Sequence, residues 1–99
     1  MLSIKKTQED QKLTVALGGR LDTTTAPELE QSLQESLPAL AELILDLSGL
    51  EYISSAGLRV LLSAQKRMMK QGSMKVTNVN ETVMEVFEVT GFVDILTIE

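Results

Sequence analysis

The segment between Leu43 and Gln71 constrains the fold of this chain more than any other. It begins with an apolar run from Leu43 to Leu47, bounded by Ser48-Gly49, which is typical of a short buried strand. A second apolar pair, Tyr52-Ile53, leads into four small residues, Ser54-Ser55-Ala56-Gly57. The residues that then recur at helical spacing are Leu58, Leu61, Leu62, Gln65, Met68 and Met69, all apolar except the glutamine. This pattern predicts a strand, a turn and an amphipathic helix of about four turns, with the serine pair at the helix N-terminus.

The residues before this segment predict a hairpin and a first helix. Apolar side chains alternate with polar ones in two stretches, Leu2 and Ile4 and then Leu13, Val15 and Leu17, which indicates two paired strands. Thr25 and Glu28 have the spacing of a capping box and predict the start of a helix. Leu29, Leu33 and Leu37 form the buried face of that helix, and Pro38 ends it.

The residues after this segment complete an alternation of strands and helices. The long helix is expected to end at Gly72, and residues 74–79 are expected to form a strand. A short helix capped by Asn80 or Thr82 follows and ends at Gly91, and residues 94–98 predict a last edge strand. The order is β-β-α-β-α-β-α-β, which indicates an α/β fold with a mixed sheet in one domain over residues 1–99.

The composition argues against several classes of function. The chain has a net charge of −5, whereas nonspecific nucleic-acid binding needs a basic face. It contains neither cysteine nor histidine, so thiolate metal sites and the commonest general base are absent. The sequence therefore predicts no enzyme activity, no cofactor and no metal site. It also predicts no nucleic-acid partner, no membrane insertion and a cytoplasmic location.

Two residues admit more than one interpretation. Asp46, near the end of the central strand, resembles the phosphoacceptor of receiver domains, but Gly18-Gly19-Arg20 does not supply the acidic pair that would hold their metal. Ser55 is a candidate helix N-cap. A cap alone does not need four small residues in a row, and such a stretch at a helix mouth lets a protein or a phosphate approach the backbone closely.

Two motifs carry a resemblance to a known family. The first is Gly19-Arg20-Leu21-Asp22 with Ala26 four residues later, and the second is Asp46-Leu47-Ser48-Gly49-Leu50 with Tyr52-Ile53-Ser54-Ser55-Ala56-Gly57-Leu58. Together they resemble the STAS domain, specifically the bacterial anti-sigma factor antagonists, over essentially the full length. Many members of that family have aspartate immediately before the phosphoacceptor serine, where this chain has Ser54.

The resemblance implies a partner-switching mechanism. The unphosphorylated antagonist binds an anti-sigma factor that is also a serine kinase, and this releases the sigma factor. Phosphorylation of the serine that aligns with Ser55 abolishes binding, and a serine phosphatase restores it. The expected partner-binding residues are Asp22, Thr23, Thr24, Ser54, Ser55, Ala56, Gly57 and Arg59. Asp22 could instead hold the turn before the first helix.

A second hypothesis assumes the same fold without regulation by phosphorylation. The chain could be a STAS-like subunit that binds a nucleotide, or one that joins a membrane or stress-sensing complex without being phosphorylated. The small residues at the helix mouth would then form only a docking surface. Phosphate incorporation by a cognate kinase distinguishes the two hypotheses.

Overall fold

A mixed four-stranded sheet organises the molecule, and the computed structural model describes all 99 residues. The elements in chain order are β1 (Leu2–Glu9), β2 (Lys12–Leu21), α1 (Ala26–Ser36), β3 (Glu42–Ile53), α2 (Ser55–Gln71), β4 (Ser73–Thr77), α3 (Glu81–Thr90) and a 3₁₀ turn (Phe92–Asp94). The strands lie in the order β1-β2-β3-β4. β1 and β2 form an antiparallel hairpin, and β2, β3 and β4 are parallel. The predicted fold class, the hairpin and the order of elements up to α3 are confirmed.

The core lies on one face of the sheet. Val15, Leu45 and Val76 are fully buried on three neighbouring strands, whereas the alternating residues Thr14 and Ile44 are half-exposed. This alternation arises because successive side chains of a strand point to opposite faces. The helices pack their apolar stripes on the buried face and form one continuous core with it. None of the helices combines the length and the hydropathy that a membrane crossing requires.

The central strand is longer than its sequence predicts. β3 continues through Ser48 and Gly49 to Ile53, so the strand boundary expected at those two residues is wrong. The pairing of β2 with β3 shifts register between Ala16 and Gly18, next to Gly49. A Cβ atom on Gly49 would lie 3.2 Å from the Cα of Gly18. The glycines therefore let two strands pass closely at an irregularity, instead of ending one of them.

The first helix begins where the sequence predicts but without the predicted capping box. Thr25 occupies the N-cap position, yet its side chain makes no bond to the helix. Its hydroxyl instead donates to the carbonyl oxygen of Arg20 across 2.8 Å and accepts from the N–H of Asp22 across 2.8 Å. The threonine is buried, so its hydroxyl bonds to the strand that it faces. Leu29, Leu33 and Leu37 are buried as predicted.

The long helix buries a slightly different stripe from the predicted one. Leu58, Leu61, Gln65 and Met68 are buried, as expected, together with Val60 and Ala64, which line a groove shared with α1. Leu62 is only half-buried and Met69 is 71% exposed, so the prediction for these two residues is wrong. A wider stripe is buried because α2 packs against both the sheet and α1.

The glycine after the long helix is required by close packing. Gly72 is the C-cap, but its φ of 173° is extended and not left-handed. A Cβ atom at this position would overlap the carbonyl group of Ala41. The chain therefore turns from α2 into β4 through a gap that admits no side chain.

The C-terminal segment does not form the predicted edge strand. Of the two predicted candidates it is Asn80 that caps α3, accepting from the N–H of Val83 across 2.9 Å, and Gly91 ends the helix as predicted, with a φ of 81°. The N–H groups of Ile95 and Leu96 then bond back to Phe92, which keeps this stretch coiled while Leu96 enters the core. Only Ile98 pairs with β4, in one parallel bridge to Val76.

Candidate functional site

The carboxyl ends of β2 and β3 meet at one edge of the sheet. Leu21 and Ile53 are register partners at these ends, and the N–H of Ser54 donates to the carbonyl oxygen of Leu21 across 2.9 Å. The turn after β2, which contains Asp22, Thr23 and Thr24, therefore lies beside the serine pair. Carboxyl ends of parallel strands are where sites form in open α/β sheets, so this edge is the candidate site.

The two adjacent serines have different structural roles. Ser54 is the N-cap of α2, with φ −98° and ψ 175°, and its hydroxyl accepts from the N–H of Gly57 at 3.4 Å. Ser55 is the first residue of the helix. Its side chain is exposed, and its hydroxyl has no hydrogen bond within the protein. The interpretation of Ser55 as the N-cap is therefore wrong, because Ser54 fills that position and leaves the Ser55 hydroxyl free.

The small residues that follow do not all face solvent. Ala56 is half-buried, whereas Gly57 is buried under the ends of the two strands. A Cβ atom on Gly57 would lie 2.6 Å from Cγ of Leu21 and 2.9 Å from Cγ1 of Ile53. Internal packing alone therefore requires glycine at this position.

Asp22 organises the turn that faces the serines. Its carboxylate accepts from the N–H of Thr24 at 3.0 Å, from the hydroxyl of Thr24 at 2.7 Å and from the N–H of Thr25 at 3.2 Å. These bonds, chiefly the one from the Thr24 hydroxyl, hold the pKa of Asp22 below its ordinary value. Asp22 therefore holds the turn, and Thr23 and Thr24 are the exposed side chains that it presents.

Arg59 lies one turn along α2 from Ser55 and borders an open groove. The guanidinium is exposed and makes no ion pair. The groove has a volume of about 350 Å³ and lies between the starts of α1 and α2, lined by Thr23, Ala26, Pro27, Glu30, Ala56, Arg59, Val60 and Ser63. Three of the residues predicted to bind a partner, Thr23, Ala56 and Arg59, thus share one surface.

Two residues at this edge were not predicted as part of the site. Arg20 and Tyr52 are register partners on β2 and β3, and the guanidinium carbon lies 4.4 Å from the ring centroid. The Arg20 Nε atom also lies 3.8 Å from the Asp22 carboxylate. The alternation of the two strands was the available signal, but the register that joins Arg20 to Tyr52 depends on two shifts, one between Ala16 and Gly18 and one between Gly19 and Arg20.

The carboxylate of Asp46 is held by hydrogen bonds within the protein. Its carboxylate accepts from the side-chain amide of Asn78 at 3.0 Å and from the N–H of Ser48 at 3.0 Å. These two bonds hold its pKa below the ordinary value, the Asn78 bond most strongly. No group of three or more acidic side chains that could hold a metal ion occurs in the chain. Asp46 thus connects β3 to the residue that follows β4.

Comparisons with known proteins agree with this fold. The family model described as "Mlab, STAS domain" matches residues 4–97. The anti-sigma-B factor antagonist of Bacillus subtilis (strain 168) is 31% identical over 98 residues, which cover 98% of this chain and 90% of that protein. The putative anti-sigma factor antagonist BtrV of Bordetella bronchiseptica is 38% identical over 88 residues, covering 87% of this chain and 76% of that one.

A solved structure shows the same architecture. The crystal structure of an anti-sigma factor antagonist from Mycobacterium paratuberculosis superposes with a TM-score of 0.90 at 23% identity, covering 99% of this chain and 85% of that chain. At 23% identity this similarity shows only that the two folds are alike. Membership of the family is shown by the family model and by the relative at 31% identity. The chain therefore belongs to the STAS domain family.

Proposed function

We propose that this chain is a cytoplasmic anti-sigma factor antagonist, and that phosphorylation of Ser55 switches it off. It acts by binding and carries out no catalysis. Its partners are an anti-sigma factor with serine kinase activity and a serine phosphatase that reverses the modification. The names of the two relatives in Bacillus and Bordetella support the antagonist role.

The free hydroxyl of Ser55 is the observation that carries this proposal. A kinase must bring the acceptor oxygen in line with a phosphate, so the oxygen has to be exposed and free of strong bonds. Ser55 meets both requirements, whereas Ser54 is half-buried and accepts a bond from Gly57. The division of roles between the two serines favours Ser55 as the single acceptor.

Phosphate at this position changes the surface and leaves the domain intact. A phosphoserine carries about −1.5 to −2 charges at neutral pH. The first N–H groups of α2 and the positive end of its dipole favour an anion there. A bulky hydrated dianion nevertheless cannot be buried against a partner without compensating cations. The switch therefore acts on the complex and has little effect on folding.

The docking surface in this proposal is the edge where the two turns meet. It comprises Asp22, Thr23, Thr24, Ser54, Ser55, Ala56, Gly57 and Arg59, and the buried Gly57 supports this surface from beneath without facing the partner. Arg59 supplies an unpaired cation, and Thr23 and Thr24 supply hydroxyls. Arg20 and Tyr52 extend the surface along the sheet edge.

Phosphorylation with the cognate kinase tests the proposal directly. The wild-type protein, Ser55→Ala and Ser54→Ala are incubated with the anti-sigma kinase and Mg-ATP, and the products are mapped by peptide mass spectrometry. Wild type and Ser54→Ala should each take up one phosphate at Ser55, and Ser55→Ala should take up none. Binding measured in parallel should be strong for Ser55→Ala and weak for Ser55→Asp and for the phosphorylated wild type.

Two outcomes would contradict the proposal. A phosphate found on Ser54 alone would move the acceptor, although Ser54 is the capping residue. Undiminished binding of the kinase by the Ser55 phosphoprotein would remove the switch and would favour a docking subunit that is not regulated by phosphorylation.

A further inference from the structure

The exposed face of α2 carries a concentration of positive charge that the proposed site uses only in part. Four of the nine basic residues of the chain lie on this helix, namely Arg59, Lys66, Arg67 and Lys70, and the helix has no acidic residue. All four are exposed and none takes part in an ion pair. Lys66, Arg67 and Lys70 lie in the C-terminal half, two or more turns from Ser55. These three residues are called the basic ridge below.

The exposed face of α3 carries the opposite charge. Its acidic residues are Glu81, Glu85 and Glu88, called the acidic ridge below, and the helix has no basic residue. All three are exposed and none takes part in an ion pair. Neither ridge is therefore neutralised within one molecule.

The spacing inside each ridge makes the like charges repel one another. Lys66 and Lys70 are four residues apart on α2, as are Glu81 and Glu85 on α3. Side chains at this spacing are neighbours on a helix surface, and like charges there destabilise the helix. A surface of opposite charge would relieve this repulsion in both helices.

A large apolar side chain that is in contact with water lies beside each ridge. Met69 borders the basic ridge and is 71% exposed, and Val89 lies beside Glu85 and Glu88 and is 82% exposed. Apart from Met1, they are the two most exposed large apolar residues of the chain. Apolar residues bordered by complementary charges are a common arrangement at protein–protein contacts.

We propose that the basic ridge of one molecule binds the acidic ridge of a second copy of this chain, with Met69 and Val89 covered in the contact. Both complementary surfaces belong to the same molecule, so no other partner is needed. The net charge of −5 disfavours approach to a polyanion such as nucleic acid or an anionic membrane. Exposed ion pairs contribute little each, so the association is weak and depends on salt.

Charge reversal on each ridge separately, followed by mixing, tests this contact. One variant carries Lys66→Glu and Lys70→Glu, and the other carries Glu85→Lys and Glu88→Lys. Sedimentation velocity is recorded at protein concentrations from about 10 to 500 µM in about 50 mM salt. Wild type should sediment faster as its concentration rises, and each variant alone should lose this dependence. An equimolar mixture of the two variants should regain it, because the reversed ridges are complementary to each other.

A matched variant controls for net charge. Lys5→Glu with Lys12→Glu also lowers the net charge by four, at exposed positions on the hairpin, and should associate like wild type. Three results would overturn the proposal: a wild type that stays monomeric throughout the range, a mixture that stays monomeric, or a control variant that loses association as completely as the ridge variants. The proposal would also be wrong if the protein stays monomeric and its basic ridge binds duplex DNA or anionic vesicles. The partner of the ridge would then be a polyanion and not a second copy of this chain.

Discussion

The N–H of Ser54 donates to the carbonyl oxygen of Leu21 across 2.9 Å, and this bond joins the two turns of the candidate site. It connects the last residue of β2 to the capping residue of α2. The turn that begins with Asp22 and the exposed hydroxyl of Ser55 are thereby held at one edge of the sheet. Single substitutions can separate what each residue does for folding from what it does for binding.

Replacing each serine by alanine should separate capping from phosphorylation. Ser54→Ala removes the N-cap acceptor and should lower the free energy of unfolding by about 1 kcal/mol. For a domain of this size that is a fall in the melting temperature of about 4–8 °C. Ser55→Ala should leave the melting temperature nearly unchanged, because its hydroxyl makes no bond within the protein. Equal losses from both substitutions in thermal melts would contradict this division of roles.

Arg59→Glu should weaken binding to the anti-sigma factor without changing stability. The guanidinium is exposed and unpaired, so its reversal disrupts no internal contact. Titration calorimetry should show weaker binding that is sensitive to salt, with an unchanged melting temperature. Glu85→Lys is the matched control on α3 and should change affinity much less when both proteins are dilute. A larger effect from Glu85→Lys would show that the docking face lies near α3 and that its proposed position is wrong.

Asp22 must be tested with a substitution that preserves its turn. From the sequence alone, a charge reversal here is expected to weaken binding at constant stability. The bonds that the carboxylate accepts from Thr24 and Thr25 change that expectation, so Asp22→Lys should also lower the melting temperature. Asp22→Asn keeps an acceptor oxygen for the turn and removes the charge, so it should retain most of the stability. A melting temperature for Asp22→Lys equal to that of wild type would show that the turn does not depend on these bonds.

Acid should destabilise the domain through Asp46 and Asp22. Both carboxylates have a pKa in the folded protein that is lower than the ordinary value of about 4. The stability that they contribute is therefore fully present above that ordinary value and is lost as the pH falls through the lower folded pKa. Urea unfolding from pH 7 down to about pH 2.5 should show this decline. It should be shallower in Asp46→Asn, and an identical decline in that variant would exclude Asp46 as a contributor.

Gln65 offers a stabilising substitution. Its side chain is 8% exposed on the buried face of α2, and its Oε1 atom has no hydrogen-bond partner. An unsatisfied buried polar atom costs about 1–3 kcal/mol, so Gln65→Leu should raise the midpoint of urea unfolding. Gln71→Leu is the control, since Nε2 of Gln71 donates to the carbonyl oxygens of Leu37 and Leu40 at 2.6 and 2.8 Å. That substitution should destabilise the protein, and a loss of stability in Gln65→Leu would refute the account of Oε1.

The sequence by itself determined the elements whose signals are local. The alternation in β1 and β2, the stripe of α1 and the glycine that ends α3 all depend on residues a few positions apart. Local spacing controls these features because hydrogen bonds in a helix and the pleat of a strand repeat over short distances. Local spacing also predicts that the serine pair lies at the start of α2, as the structure confirms.

Only the tertiary structure decided the features that depend on a distant neighbour. Gly49 lies inside β3 because Gly18 of the adjacent strand lets the two backbones approach, and Thr25 bonds to Arg20 instead of to its own helix. The C-terminal residues coil back onto Phe92 through backbone bonds, and Leu96 enters the core. The assignment of the cap to Ser54 and the exposure of Ser55 follow from how β3 enters α2 beside Leu21. Such contacts join residues far apart in the chain, and no periodicity in the sequence encodes them.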